Sequence, residues 1–320
     1  PESVLIPYSQ IAKPGVAFRK QTITGIDPAN RVVTTDGGSY PADVLVVALG
    51  ADYDMGATPG LAAHGNEFYS FAGAEKLRRV LPSFSKGNAI VGVCGAPFKC
   101  PPAPSEASLL LHDYLTRRGV RGDCTISLVM PFPSPIPPSP DSSQALMKAF
   151  AERDIRFIPR HKVASLEKNR AILDDGSEMP FDLFLGIPKH VAPKVVLESG
   201  MTENGWIPVS KTNLLTKFEN VYAIGDVTSV GTPKAGVFAE GAARTVAASV
   251  VASIKGNEGP VPYQGAGSCY LEFGQGRVAR VDVDFFSGPK PVGTHTEASE
   301  AIAADKQKFG QDRKAKWFGM

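Results

Sequence analysis

Val44 to Leu49 is an unbroken apolar run that stops at Gly50. Such a run suits a strand buried on both faces, and strands of that kind belong to parallel sheets whose crossovers are helices. The chain supplies those crossovers in order. Ala89 to Val93 is a second buried run. Leu109, Leu110, Leu111, Tyr114 and Leu115 then give residues 105–118 one apolar helical face, and Gly119 stands where a C-terminal cap belongs. Thr125 to Met130 is the next strand, and strand, helix, strand in succession predicts a βαβ unit. A helix over 142–152, a strand over 155–158, a hairpin at Asp174-Asp175-Gly176 and the run Phe181 to Gly186 complete it. Val221 to Ile224 predicts one more strand, and a long helix rich in Ala and Val starts near Lys234. Residues 16–50 read as strands and turns, with Val16-Ala17-Phe18 and Thr22-Ile23-Thr24 as strand pieces and turns at Asp27–Asn30 and Asp36–Gly38. A short helix is expected over 74–81, an irregular loop over the proline-rich 131–140, and short glycine-bearing strands over 262–286. The fold class is α/β.

Bulk properties narrow the function. The formal net charge of the 320 residues is +2, and no dense Lys/Arg stripe with interleaved aromatics occurs, so nucleic-acid binding has no support. The cysteines, Cys94, Cys100, Cys124 and Cys269, form no CxxC, and the histidines are not at ligand spacing, so no metal site is expected. No stretch reaches the roughly 18 uninterrupted apolar residues of a membrane helix; the best candidate, Val246 to Ile254, carries Ser249 and Ser253. Contact with a membrane surface stays open, because the segment Lys306 to Lys316 is basic. The chain opens on Pro1 without a leader pattern, which suggests a fragment.

Three phrases carry chemistry. Val221-Tyr222-Ala223-Ile224-Gly225-Asp226 is a strand that delivers a carboxylate beyond a sheet edge, where it can accept hydrogen bonds from sugar-like hydroxyls; Gly225 leaves room for close backbone approach. Pro233-Lys234-Ala235-Gly236 then opens the long helix, whose free N–H groups stabilise negative charge on a ligand. The second phrase is the turn after Ala89–Val93. It holds Cys94-Gly95-Ala96-Pro97-Phe98-Lys99-Cys100-Pro101-Pro102-Ala103-Pro104-Ser105-Glu106 where a nicotinamide-binding protein would carry a glycine-rich loop. Proline offers no N–H to a phosphate, so pyridine nucleotide binding is disfavoured. Cys100 instead stands at the mouth of a helix, a position that lowers a thiol pKa. Glu106 follows in the first helical turn, where a carboxyl can shuttle protons. Read alone, the two fit a buried thiol and a dipole-favoured Glu better than a redox site. Cys94 and Cys124 read as core. The third phrase, Tyr263 to Gly274, surrounds Cys269 with glycines, a poor ordinary strand but one suited to close approach to another group.

Together these phrases resemble the sulfide:quinone oxidoreductases and the flavoprotein subunit of flavocytochrome c sulfide dehydrogenase, within the pyridine nucleotide-disulfide oxidoreductase superfamily. The likeness runs from Val4 to Gly319, and Cys-Pro-Pro-Ala-Pro-x-Glu is its most specific part. Ala48-Leu49-Gly50 stands where the superfamily usually has Ala-Thr-Gly. The resemblance implies two Rossmann-like dinucleotide-binding domains and a small C-terminal region. Residues 1–80 and 196–262 would form an FAD-binding domain, 81–195 the second Rossmann-like domain, and 263–320 a redox-cysteine region. No Gly-x-Gly-x-x-Gly precedes Val44, so the FAD domain is expected to be incomplete at its N-terminus, and these residues alone are expected to bind FAD weakly and to be inactive.

By the same resemblance the cofactor is FAD. Cys100 and Cys269 would be the redox pair and Glu106 the acid/base. Ala48, Gly50, Gly225, Asp226, Pro233, Lys234, Ala235 and Gly236 would line the cofactor. The implied activity is sulfide oxidation with electrons passed to a quinone or a c-type haem partner, at a membrane or in a periplasm. A type II NADH dehydrogenase and a non-catalytic flavoprotein-like binding subunit are the competing readings. His112 reads as a packing or surface residue, Trp206 as a domain-junction anchor, and Trp317-Phe318 as packing of the last helix.

Overall fold

The computed structural model describes residues 5–8, 15–257 and 262–319; Val4, where the family likeness begins, lies outside them. Its first elements are the meander β1 (Ile23–Asp27), β2 (Val32–Thr35) and β3 (Gly38–Pro41), then β4 (Leu45–Val47) and β5 (Asp52–Asp54). Next come α1 (Leu61–His64), β6 (Asn66–Glu67), α2 (Phe71–Val80), β7 (Gly87–Val93), α3 (Ala103–Arg117), β8 (Cys124–Met130), α4 (Pro140–Glu152) and β9 (Ile155–Pro159). A second meander, β10 (Val163–Glu167), β11 (Arg170–Leu173) and β12 (Glu178–Pro180), leads to β13 (Leu183–Ile187), β14 (Lys189–Val191) and α5 (Lys194–Leu197). The chain ends with β15 (Val221–Ala223), α6 (Gly236–Lys255), β16 (Ala266–Gly274), β17 (Arg277–Asp284), β18 (Val292–Ser299) and α7 (Glu300–Phe318).

The centre is a five-stranded parallel sheet in the order β6-β13-β7-β8-β9. Its inner strands β13, β7 and β8 are largely apolar because both faces are covered. Ala89, Val91 and Val93 point to α3 and α4, whose Leu109, Leu115, Leu146 and Phe150 they meet. Ile90 and Phe184 point the other way, onto Leu166, Ala171 and Leu173 of the second meander. The antiparallel sheet β16-β17-β18 lies behind the helices and adds Leu271, Phe273, Val281 and Val283 to the same core. The helix ends follow local chemistry: Ser139 caps α4 through Ser142 N, and Gly119, at φ +72°, follows the end of α3 with its N–H on Thr116 O.

Four expectations need correction. Val16-Ala17-Phe18 is not a strand. The run Val44–Leu49 yields only the three-residue β4, paired in parallel with β15, and Val46 is 42% exposed, so one face of this pair is open. Residues 262–286 form long, regular strands; Gly267 sits in β16 because a Cβ there would stand 2.9 Å from Val237 Cγ2 of α6. In addition, β18 answers to no sequence expectation, and α6 is long and apolar enough, by length and composition alone, to cross a membrane. Its Glu240 and Arg244 interrupt the apolar run, and Glu240 pairs with Arg313 and Lys316 of α7. Trp317 is not packed away but 41% exposed.

Candidate active site

Two loops leave the same edge of the β4–β15 pair. Ile224 N donates to Val47 O, then Gly225 turns at φ +73° into a short 3-10 turn carrying Asp226. A Cβ on Gly225 would stand 3.2 Å from Ala239 Cβ, so the glycine lets α6 close onto the turn. The Asp226 carboxylate accepts no hydrogen bond among the described residues, and burial raises its pKa against the pull of Lys99 and Lys234. Across the edge, Ala48 is exposed and Gly50 turns at φ +67° with nothing within 4 Å of where its Cβ would be.

Lys234 lies just ahead of α6, which starts at Gly236 with Ala235 as an N-cap that offers no side-chain bond. The Lys234 ammonium does not reach outward. It donates to Asp226 O at 2.5 Å and Thr228 O at 3.2 Å, and it sits 3.3 Å from the centre of the Trp206 ring. Burial lowers its pKa to about 8. Trp206 is thus an anchor for this turn.

The same residue pins the cysteine loop. Cys100 N donates to Lys234 O at 2.8 Å, and Ala103 N donates to Cys100 O at 2.8 Å. Cys100 is held at φ +53°, a strained conformation for a residue with a Cβ. Tyr69 Oη donates to Lys99 O at 2.9 Å from the other side. Lys99 turns away from Cys100: its Nζ donates to Ala51 O at 3.2 Å and lies 4.4 Å from the centre of the Tyr53 ring.

Glu106, in the first turn of α3, accepts a hydrogen bond from Glu272 N of β16 at 2.8 Å. That bond draws β16, and with it Cys269, against the helix that Cys100 precedes. Burial raises the Glu106 pKa, opposed by the Glu272 N–H and by Lys306. Lys306 in turn pairs with Glu272 at 2.5 Å. The expectation of a lowered Cys100 pKa is overturned. Crowding around the sulfur, then the charges of Glu106 and Cys269, push the thiol up to about 12, although one side of the residue opens to solvent. Cys269 is pushed up to about 11 by burial and then by Glu106. Both thiols are free; Glu106 acts on each of them and Cys269 also on Cys100, which puts the three in one neighbourhood. Cys94 and Cys124 are buried, as expected of core residues.

Cys269 opens on a cavity of about 480 Å³. Its walls are almost wholly apolar: Pro101, Pro102, Phe132, Val281 and Phe285 are among them, with Pro233 and Lys234 at one side. Sequence reasoning missed a second group of residues. His190 of β14 stands opposite Tyr53 of β5 and is clamped edge-on by the Tyr53 and Tyr69 rings, 5.0 and 5.1 Å away. Its Nδ1–H goes to Pro188 O at 2.8 Å, and its Nε2 is buried without a partner among the described residues. Burial lowers its pKa to about 4. The position of Lys99 beside Cys100 was visible in the sequence; the direction of its side chain was not. His112 is a half-buried neighbour of Asp113, whose carboxylate receives Gln275 N of the β16–β17 turn.

A family model described as pyridine nucleotide-disulphide oxidoreductase matches residues 8–253. The mitochondrial sulfide:quinone oxidoreductase of Mus musculus is 27% identical over 308 residues, 90% of this chain and 67% of that protein. Its counterpart in Schizosaccharomyces pombe is 26% identical over 279 residues, 82% of this chain and 61% of that protein. The chain thus spans about two thirds of the length of these relatives. Among solved structures, the sulfide:quinone oxidoreductase of Aquifex aeolicus superimposes with a TM-score of 0.81 at 22% identity, over 94% of this chain and 75% of that one.

Proposed function

The chain belongs to the pyridine nucleotide-disulphide oxidoreductase family, and from that premise we propose that it acts as a sulfide:quinone oxidoreductase with Cys100 and Cys269 as its redox pair and Glu106 as its proton carrier. The observation that carries this reading is the Glu106–Glu272 N hydrogen bond of 2.8 Å, which brings the helix behind Cys100 and the strand of Cys269 together around one carboxyl group of raised pKa. The named activities of the mouse, yeast and Aquifex relatives support it.

FAD is the cofactor of this family, and the β4–β15 edge fits it. Gly50 and Gly236 each have nothing within 4 Å of a would-be Cβ. The Asp226 carboxylate is free to accept ribityl-type hydroxyls. The uncapped start of the 20-residue α6 offers N–H groups and the positive end of the helix dipole to a ring that gains negative charge. When bound, FAD supplies a two-electron acceptor. Ala48, Gly50, Gly225, Asp226 and the segment Pro233–Gly236 would hold it.

The chain's own residues would then act as follows. Hydrosulfide attacks one sulfur of a Cys100–Cys269 disulfide; the S–S bond breaks, leaving a persulfide on one cysteine and a thiolate on the other. The thiolate and the persulfide join as a trisulfide, releasing one proton and two electrons. Glu106, neutral more readily than an exposed carboxyl, takes and returns the proton. The apolar cavity beside Cys269 accommodates a lengthening sulfur chain, which has no charge to hydrate along its middle. Electrons leave to a quinone, or to a haem partner as the alternative acceptor. Division into an FAD domain (1–80 with 196–262), a second domain (81–195) and a redox-cysteine region (263–320) is part of this proposal.

The test is sulfide-dependent loss of flavin absorbance in FAD-loaded protein. Native protein bleaches, and Cys100→Ser and Cys269→Ser lose the rate by at least about a hundredfold, the scale of an essential nucleophile. Unimpaired bleaching in Cys100→Ser would overturn the pair. Reduction by NADH in place of sulfide would favour the NADH dehydrogenase reading.

A further inference from the structure

Charges at the β4–β15 edge do not balance. Two ammonium groups, Lys99 and Lys234, both act on the single carboxylate of Asp226, and neither makes a salt bridge among the described residues. His190, which both lysines also reach, adds no countercharge: its Nδ1–H is committed to Pro188 O, and Nε2 lacks a donor. These four groups sum to one positive charge at the carboxyl ends of parallel strands, the place where open α/β sheets bind ligands.

The two lysines are not equivalent. Lys234 is enclosed by two carbonyl oxygens and the Trp206 face. Lys99 is half-buried and gives one N–H to Ala51 O while its cationic head rests on the Tyr53 ring. An ammonium carries three donors, so two remain. Ala51 directly follows Gly50, on the loop that leaves β4. Cys100, the next residue in the chain, is not the beneficiary; the cation that lowers its thiol pKa is Lys306.

We propose that Lys99 is a tuning residue for the bound flavin, its ammonium stabilising the negative charge that the ring gains on two-electron reduction. Two electrons and one proton leave one net negative charge on the ring, and Lys99 supplies its counterpart from the loop next to Gly50. This assignment rests on the FAD reading above.

The experiment compares native protein, Lys99→Met, Lys99→Gln and Lys99→Arg, all FAD-loaded. The readouts are the two-electron flavin potential by dye equilibration and sulfite affinity by loss of flavin absorbance, since sulfite also adds negative charge to the ring. Lys99→Met and Lys99→Gln are expected to weaken reduction about tenfold, a fall of about 30 mV for a two-electron couple, and to weaken sulfite binding by a similar factor. Lys99→Arg keeps both near native values, and the pH profile of Cys100 alkylation stays unchanged in all variants. Native potential and sulfite affinity in a neutral variant that still binds FAD would overturn the role of Lys99 alone. So would an Arg variant that falls as far as the neutral ones. Native protein that binds no FAD overturns both this assignment and the FAD reading.

Discussion

The five-stranded sheet and the β4–β15 pair are both parallel, yet their strands have different surroundings. β7 and β13 are covered on both faces, by α3 and α4 on one side and by the β10–β12 meander on the other. β4 has Leu45 and Val47 turned inward and Val46 turned to solvent, and α6 leaves Val251 49% and Ile254 77% exposed. The first region is a finished core whose cofactor-type loop has been given over to prolines and a cysteine. The second is thinly covered but presents the glycines, the carboxylate and the helix start proposed above to hold the cofactor. Core stability and the proposed ligand chemistry are thus drawn from different sheets, and Cys100 sits where loops from both meet, joined to Lys234 O.

The widest difference should appear between Phe184→Ala and Val46→Ala. Phe184 is 1% exposed and packs on Phe181 at 5.5 Å, so truncation is expected to cost about 3–5 kcal/mol in urea unfolding. Val46→Ala should stay within about 0.5 kcal/mol. Equal costs would erase the contrast. A second test addresses the junction, where His190 of β14 meets Tyr53 of β5. Its pKa falls from 6.5 to about 4 on folding, so between those values the unfolded chain binds more protons and stability declines with falling pH. The loss should reach the order of 3 kcal/mol by pH 4. His190→Phe should flatten that part of the acid limb of a thermal-denaturation series; an unchanged limb would show that the junction is not the acid-sensitive point. The smallest effect is expected where α6 meets α7. Glu240→Gln removes pairs to Arg244, Arg313 and Lys316 and should cost about 1 kcal/mol, less in high salt. A larger, salt-independent cost would mean that α6 depends on α7 for its position.

The contrast also explains what could be read from the sequence. Periodicity located β7, α3, β8 and α4 because their burial is complete and regular. The same logic overextended Val44–Leu49, since an apolar run implies two covered faces and this strand has one. β18 escaped because Val292–Ser299 mixes Gly, Thr and His on a half-exposed strand. Within the site, the spacing of Cys100 and Glu106 was legible as a local helical turn. The elevated thiol pKa was not, because it arises first from burial of the sulfur in the assembled fold, then from Glu106 and from Cys269 brought in on β16. His190 gave no local signal; its partners Tyr53 and Tyr69 lie far upstream, and only the β5–β14 pairing reveals them.

The Glu106–Glu272 bond joins positions 166 residues apart. Closing so long a segment costs chain entropy before any contact repays it. The bond is therefore expected to form after β7, α3 and β8 have associated, in the last stage of folding. Cys269 lies on the late-docking strand of that bond, and Cys100 precedes the helix of the early unit, so the proposed pair would come together only when β16 docks.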